Sequence, residues 1–171
     1  SGGGDNGAFG AGFIVGWTGT GTRPEFRMVT GISTGALIAP FAFLGPRYDE
    51  QLRAVYTSLG ADQVFFRRRL TAALFSDAMA DSSPLAGVIA YYANDDMLAA
   101  IAEEYRRGRL LLIGTTNLDA QRPVIWNIGA IAASRHPGAL DLFRKILQAS
   151  AAIPGAFPPA MIDVAVDGRA Y

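Results

Sequence analysis

Apolar positions recur at helical spacing or in short β-type runs along most of the chain, and glycine, proline or aspartate punctuates the changes between them. Phe9, Phe13, Ile14 and Trp17 share one helical face; Gly7, Gly10, Gly12 and Gly16 interrupt it, lowering propensity but allowing close approach to a neighbour. Phe26–Thr30 reads as a strand, runs into Gly31-Ile32-Ser33-Thr34-Gly35, and a helical pattern starts at Ala36. Asp49 is placed to cap a helix carrying Leu52, Val55, Tyr56 and Leu59. Ser83-Pro84 opens Leu85–Tyr92 as an N-cap followed by proline at the first helical position. Asp95 or Asp96 caps Met97–Arg107, and Gly108 stands where a left-handed C-cap falls. The continuous apolar run Leu110–Gly114 suits a strand buried on both faces; a polar turn, Asn117–Arg122, leads to a second strand at Val124–Trp126. Leu140, Phe143, Ile146 and Leu147 mark an amphipathic helix that Pro154 stops, and Ile162–Tyr171 alternates around Asp167-Gly168. Strand and helix in this order predict an α/β layer architecture, with no repeat or linker to divide residues 1–171 into more than one domain.

Composition narrows the function classes. Half of the 171 residues are hydrophobic and 18% are charged, which excludes disorder for the bulk of the chain. Fifteen basic and fifteen acidic residues cancel, so no net field draws the chain to nucleic acid, and nucleic acid is not an expected partner. The absence of cysteine removes disulfides, thiolate metal sites and cysteine nucleophiles, and the single histidine, His136, makes a histidine-rich metal site impossible; no cofactor is expected. Pro40, Pro46, Pro154 and Pro158-Pro159 break the apolar stretches before any could span a bilayer. No signal peptide or initiator Met is visible, and Ser1-Gly2-Gly3-Gly4 reads as the boundary of a fragment; location and oligomeric state stay open.

Two glycine motifs carry the chemistry. Gly31-Ile32-Ser33-Thr34-Gly35 fits Gly-x-Ser-x-Gly, and the strand before it and helix after it are what a nucleophile elbow requires. Glycines at 31 and 35 suit a turn where strand and helix crowd both sides of the serine, and a serine at a helix N-terminus meets partial positive charge that favours an oxyanion. Ser33 serves equally as an ordinary N-cap. The opening loop, Gly2-Gly3-Gly4-Asp5-Asn6-Gly7, leads into the first helix with backbone N–H groups free of side-chain obstruction, the requirement for an oxyanion hole. Gly2-x-Gly4-x-x-Gly7 also matches the dinucleotide fingerprint, but the acid that would hold a ribose is lacking: the next strand ends in Thr30-Gly31 and Glu25 lies at its start.

Together these motifs resemble the patatin-like phospholipase family, which carries a Gly-Gly-Gly-x-Arg-Gly oxyanion loop, a Gly-x-Ser-x-Gly elbow and a later Asp-Gly-Gly or Asp-Gly-Ala. Ser150-Ala-Ala-Ile-Pro-Gly-Ala-Phe-Pro-Pro159 is similar to the family segment preceding the catalytic aspartate, and Gly114-Thr-Thr-Asn-Leu-Asp119 to the central strand and its turn. The resemblance implies a three-layer α/β/α fold with a mostly parallel sheet whose first strand would precede Ser1. It implies Ser33 as nucleophile of a serine–aspartate dyad without histidine, acting without a metal on acyl esters of phospholipids or other lipids, with a membrane surface as one setting. Carried over, Gly2, Gly3 and Gly4, with Gly7 closing the motif, form the oxyanion loop, joined by Thr34; Gly31 and Gly35 are the elbow glycines. Asn6 stands where the family has arginine or lysine, which removes a cation but keeps a hydrogen-bond donor near the oxyanion.

The base has several candidates. Ser33, Asp119 and His136 follow the chain order of an α/β-hydrolase triad, though His136 precedes Pro137 in a polar loop and reads better as a solvated residue. Asp167 precedes Gly168 but then Arg169, and Asp-Gly between alternating residues reads better as a hairpin turn. That preference places the base on an Asp-Gly-Gly or Asp-Gly-Ala within about 15 residues after Tyr171; a glycine loop that follows a strand places an apolar β-run before Ser1, so these 171 residues alone are expected to be inactive. The rival from another class is a non-catalytic ligand-binding or interaction domain on the same fold. Phe65-Phe66-Arg67-Arg68-Arg69 reads as a solvated helix face rather than a membrane patch, Glu103-Glu104 as an exposed face, and Trp17 and Trp126 as core.

Overall fold

The computed structural model describes residues 7–57, 83–152, 159–163, 165–166 and 169–170. The first helix, α1 (Gly7–Gly19), contains no charged residue and packs through small residues near its start. Gly7 and Ala11 are buried, and a Cβ on Gly10 would lie 3.3 Å from Ile38 Cδ1. Phe9 and Phe13, expected on the packed face, are instead 76% and 56% exposed. Close packing through glycine sets this orientation, because the helix axis approaches its neighbour most nearly on its thinnest side. Trp17 likewise lies outside the core: its ring meets Phe13 and Phe26, and its Nε1 donates to Thr22 Oγ1 at 3.1 Å.

Strand β1 (Met28–Gly31) feeds the short elbow and then α2 (Thr34–Leu44), whose Ala36, Phe41 and Phe43 are fully enclosed. At the far end of α2, the Arg23 guanidinium donates to the carbonyls of Phe41 and Ala42 at 3.2 and 3.1 Å, serving the helix's unpaired acceptors. Arg23 also takes Asp49 Oδ1 at 2.7 Å. Asp49 follows a 3₁₀ turn (Pro46–Tyr48) and opens α3 (Asp49–Thr57), but this ion pair, rather than a cap, is what its Oδ1 serves. Helices α4 (Ser83–Tyr92) and α5 (Asp95–Arg106) follow. The cap of α5 is Asn94, whose side chain accepts the Met97 N–H at 2.9 Å; Asp95 and Asp96 sit one step inside, as acids in the first turn. Gly108 adopts φ +85°, the left-handed stop expected there.

Strand β2 (Leu110–Asn117) runs parallel to β1, with Met28 opposite Leu110 and Gly31 opposite Ile113. It then turns back into β3 (Arg122–Asn127), so the sheet order β1-β2-β3 is mixed, one pair parallel and one antiparallel. Helices α6 (Ile128–Ala133) and α7 (Ala139–Ala151) complete the layer, and α7 buries Phe143, Ile146 and Leu147 as its periodicity predicts. Leu111 and Ile113 point into one cluster with Phe41, Phe43, Ile101 and Ile146. Leu110 and Leu112 are only half-buried, and Met28 and Ile125 are exposed, so among the described residues β2 is fully enclosed on one face. The architecture is α/β, as the order of elements predicts. Two short strands, β4 (Ala165–Val166) and β5 (Arg169–Ala170), pair antiparallel, with Ala165 opposite Ala170 and Val166 opposite Arg169.

A buried ion pair ties these layers together. Arg109 donates to Glu104 Oε2 at 2.8 Å, to the Phe26 carbonyl at 2.9 Å and to the Phe43 carbonyl at 2.5 Å, with its guanidinium 4.6 Å from the Phe43 ring centre. Glu104, expected on an exposed face, is buried because this guanidinium needs a counter-charge where β1, α2 and α5 meet. Burial alone would raise the Glu104 pKa, but hydrogen bonds and charge from Arg109 and Arg107 outweigh it and hold the carboxyl below its ordinary value. Stabilisation from a depressed carboxylate is present above its unfolded pKa and lost as pH falls through the folded one. Glu104→Gln should therefore cost about 3 kcal/mol at pH 7, with the gap to wild type closing as both are acidified, measured by urea denaturation across pH.

Candidate active site

The site is built where β1 turns directly into α2. A Cβ on Gly31 would lie 2.6 Å from the Gly35 carbonyl oxygen and 2.8 Å from Ala36 Cα. Both are backbone atoms, so only glycine fits at the end of this strand. Two positions on, Ser33 adopts φ 58°, ψ −132°, a region that non-glycine residues occupy at a cost of about 1–3 kcal/mol. Its side chain makes no capping hydrogen bond to α2, so Ser33 does not perform the ordinary N-cap role that its position allowed. The hydroxyl stands half-buried at the positive end of the helix.

Backbone and side-chain bonds hold the turn. Gly35 N–H donates to the Ile32 carbonyl at 3.0 Å and Ala36 N–H to the Ser33 carbonyl at 2.9 Å. The Ser33 N–H donates out of the turn, to Ser150 Oγ at 3.0 Å, and Ser150 Oγ in turn donates to the Gly114 carbonyl at 2.7 Å. Gly114 meets the elbow a second way: a Cβ there would lie 2.9 Å from Ile32 Cγ1. In the sequence Ser150 stands out only as the start of the family-like segment. Its own signal was its spacing, since it follows Phe143, Ile146 and Leu147 on the buried face of α7, where a hydroxyl needs partners.

Beside the elbow two helix N-termini converge. A Cβ on Gly7, the first residue of α1, would lie 3.2 Å from Thr34 Cβ and 3.3 Å from the Tyr56 hydroxyl oxygen. Thr34 opens α2 and is buried. The first turns of both helices, and the positive ends of their dipoles, meet here. Burial pushes the Tyr56 phenol up to about 12, so it stays a neutral donor at neutral pH. Tyr92, fully enclosed, is raised further by its burial and then by Tyr56, and its hydroxyl has no hydrogen-bond partner among the described residues. Nothing in the sequence marks either tyrosine for the site. Gly2, Gly3, Gly4 and Asn6 lie outside the described residues, as do Asp167 and Phe65–Arg69.

The histidine triad is excluded by distance. Ser150 lies in the last turn of α7 and touches the Ser33 amide, whereas His136 precedes the first turn. At 1.5 Å per residue, that helix separates them by about 18 Å. His136 is exposed and accepts the Gly138 N–H at its Nδ1, 3.0 Å away, the local loop role. Asp119 is exposed in the turn between β2 and β3. Among the described residues no three His, Asp or Glu side chains gather as metal ligands, and no helix is long and apolar enough to cross a membrane.

A strand, a serine held at positive φ and a helix N-terminus define an α/β protein with a serine elbow. A family model described as Patatin-like phospholipase matches residues 1–171, and the chain belongs to that family of lipid acyl hydrolases. Neither a search of curated proteins nor one of solved structures returns a match.

The packing at Gly31 gives a direct check. Gly31→Ala should force β1 and α2 apart, costing about 1–3 kcal/mol in denaturant unfolding, because both clashing atoms belong to backbone. Stability equal to wild type would show that the strand and helix are less tightly apposed.

Proposed function

We propose that residues 1–171 belong to a single serine acyl-hydrolase domain in which Ser33 is the nucleophile. The observation that carries this is the conformation of Ser33: strained, at a helix N-terminus, with its hydroxyl not spent on capping. Ser33 Oγ attacks the acyl carbonyl carbon of a lipid ester while an aspartate carboxylate accepts its proton. The oxyanion of the tetrahedral intermediate takes N–H groups from the Gly2–Gly4 loop and from Thr34, with Asn6 as a neutral donor in place of a cation. The Ser33 amide is not among the donors, since Ser150 holds it. Collapse expels the alcohol, which takes the proton from the aspartic acid, and leaves acyl-Ser33. Water then attacks, the aspartate accepts its proton, and fatty acid leaves as Ser33 Oγ is reprotonated.

In this reading the base is an aspartate other than Asp167, since Asp-Gly is a sequence preferred in hairpin turns. Exposed Phe9 and Phe13 on α1 and exposed Ile32 beside Ser33 suit a lipid-facing approach, in keeping with a membrane surface as the setting.

A fluorophosphonate probe on the full-length protein should label Ser33. Ser33→Ala should abolish both labelling and hydrolysis of a p-nitrophenyl acyl ester while leaving the melting temperature nearly unchanged. An unlabelled wild type would favour the non-catalytic reading. Gly3→Val or Gly4→Val should lower turnover about 10²–10³-fold in folded protein. Asp167→Asn should keep turnover near wild type; its loss would return the base to Asp167.

A further inference from the structure

We infer that Ser150 is a positioning residue for this chemistry, the side chain that holds the nucleophile's backbone in its strained state. The inference rests on Ser33 as the nucleophile. Ser150 is about nine-tenths buried and both of its hydrogen-bonding roles are fixed. The Ser33 N–H can only donate, so Ser150 Oγ accepts there at 3.0 Å, and its own proton goes to the Gly114 carbonyl at 2.7 Å. One hydroxyl thus joins the elbow, the interior of β2 and the last turn of α7.

Two further bonds of the turn, Gly35 to Ile32 and Ala36 to Ser33, are made within the turn itself. Local bonds of that kind fix a turn's shape but not its placement against the sheet. A residue at φ 58° persists only where the surroundings over-determine it, and Ser150 supplies a tether from outside. It also selects the oxyanion donors: with the Ser33 amide engaged, the helix offers the Thr34 N–H next. Removing the hydroxyl leaves the half-buried Ser33 N–H and the Gly114 carbonyl without this partner, and the elbow can relieve the first by rotating, which re-aims Ser33 Oγ.

The test uses full-length protein with three variants: Ser150→Ala, Ser150→Cys and Leu147→Ala. Leu147 lies one turn earlier on the same buried face and controls for loss of stability alone. The readouts are the rate of fluorophosphonate labelling at Ser33 per folded molecule, with kcat and KM on a p-nitrophenyl ester. Ser150→Ala should lower the labelling rate and kcat about 10²-fold with KM little changed, while Leu147→Ala, though destabilised, labels at the wild-type rate. Should the alanine variant fail to fold, Ser150→Cys, nearly the same shape with weak hydrogen bonding, carries the comparison and should label more slowly than wild type. Labelling of folded Ser150→Ala or Ser150→Cys at the wild-type rate overturns the positioning role and leaves Ser33 as nucleophile. Absence of labelling in the wild type overturns both.

Discussion

A strand that passes into a helix through only two residues leaves no space for a side chain at its end, and the site follows from that crowding. Gly31 accepts the carbonyl of Gly35 and the backbone of Ala36 where a Cβ would stand. The same compression drives Ser33 into a conformation that few side chains tolerate. Strain of this size is small against the burial in α2, whose Ala36, Phe41 and Phe43 are fully enclosed, so the fold can sustain it.

The charged clusters divide the labour with the elbow. Arg23 serves the carbonyl end of α2, and Arg109 with Glu104 locks the start of β1 to the ends of α2 and α5. Both lie toward the end of the strand and helix opposite Ser33. The polar end of the fold is thereby tied together, while the chemical end keeps the positive end of the α2 dipole without a counter-charge from these pairs.

Local signals in the sequence were read well where one residue type has one physical use. Gly108 had to be left-handed, the spacing of Phe143, Ile146 and Leu147 could bury only one face of α7, and the two glycines flanking Ser33 announced the elbow. Long-range pairing was less legible. Glu104 looks like a solvated acid until Arg109 is brought against it, and Asp49 looks like a cap until Arg23 arrives from 26 residues away. The orientation of α1 depended on glycine being preferred at a close helix contact, which hydrophobicity ranks in the opposite order. Ser150 was hidden for a related reason: its partners are backbone groups 117 and 36 residues distant, and a backbone group leaves no trace in a sequence.

Gly114 shows what this arrangement does to the freedom of the chain to vary. Its absent side chain is the floor on which Ile32 rests, with Ile125 Cδ1 at 3.7 Å closing the other side. The volumes at 32 and 114 are therefore one shared quantity, divided between an exposed elbow residue and the middle of a strand. A side chain at position 114 makes Ile32 give way, by turning further into solvent or by being smaller, so the residue beside the nucleophile is shaped in part by a strand that contributes no side chain to the chemistry.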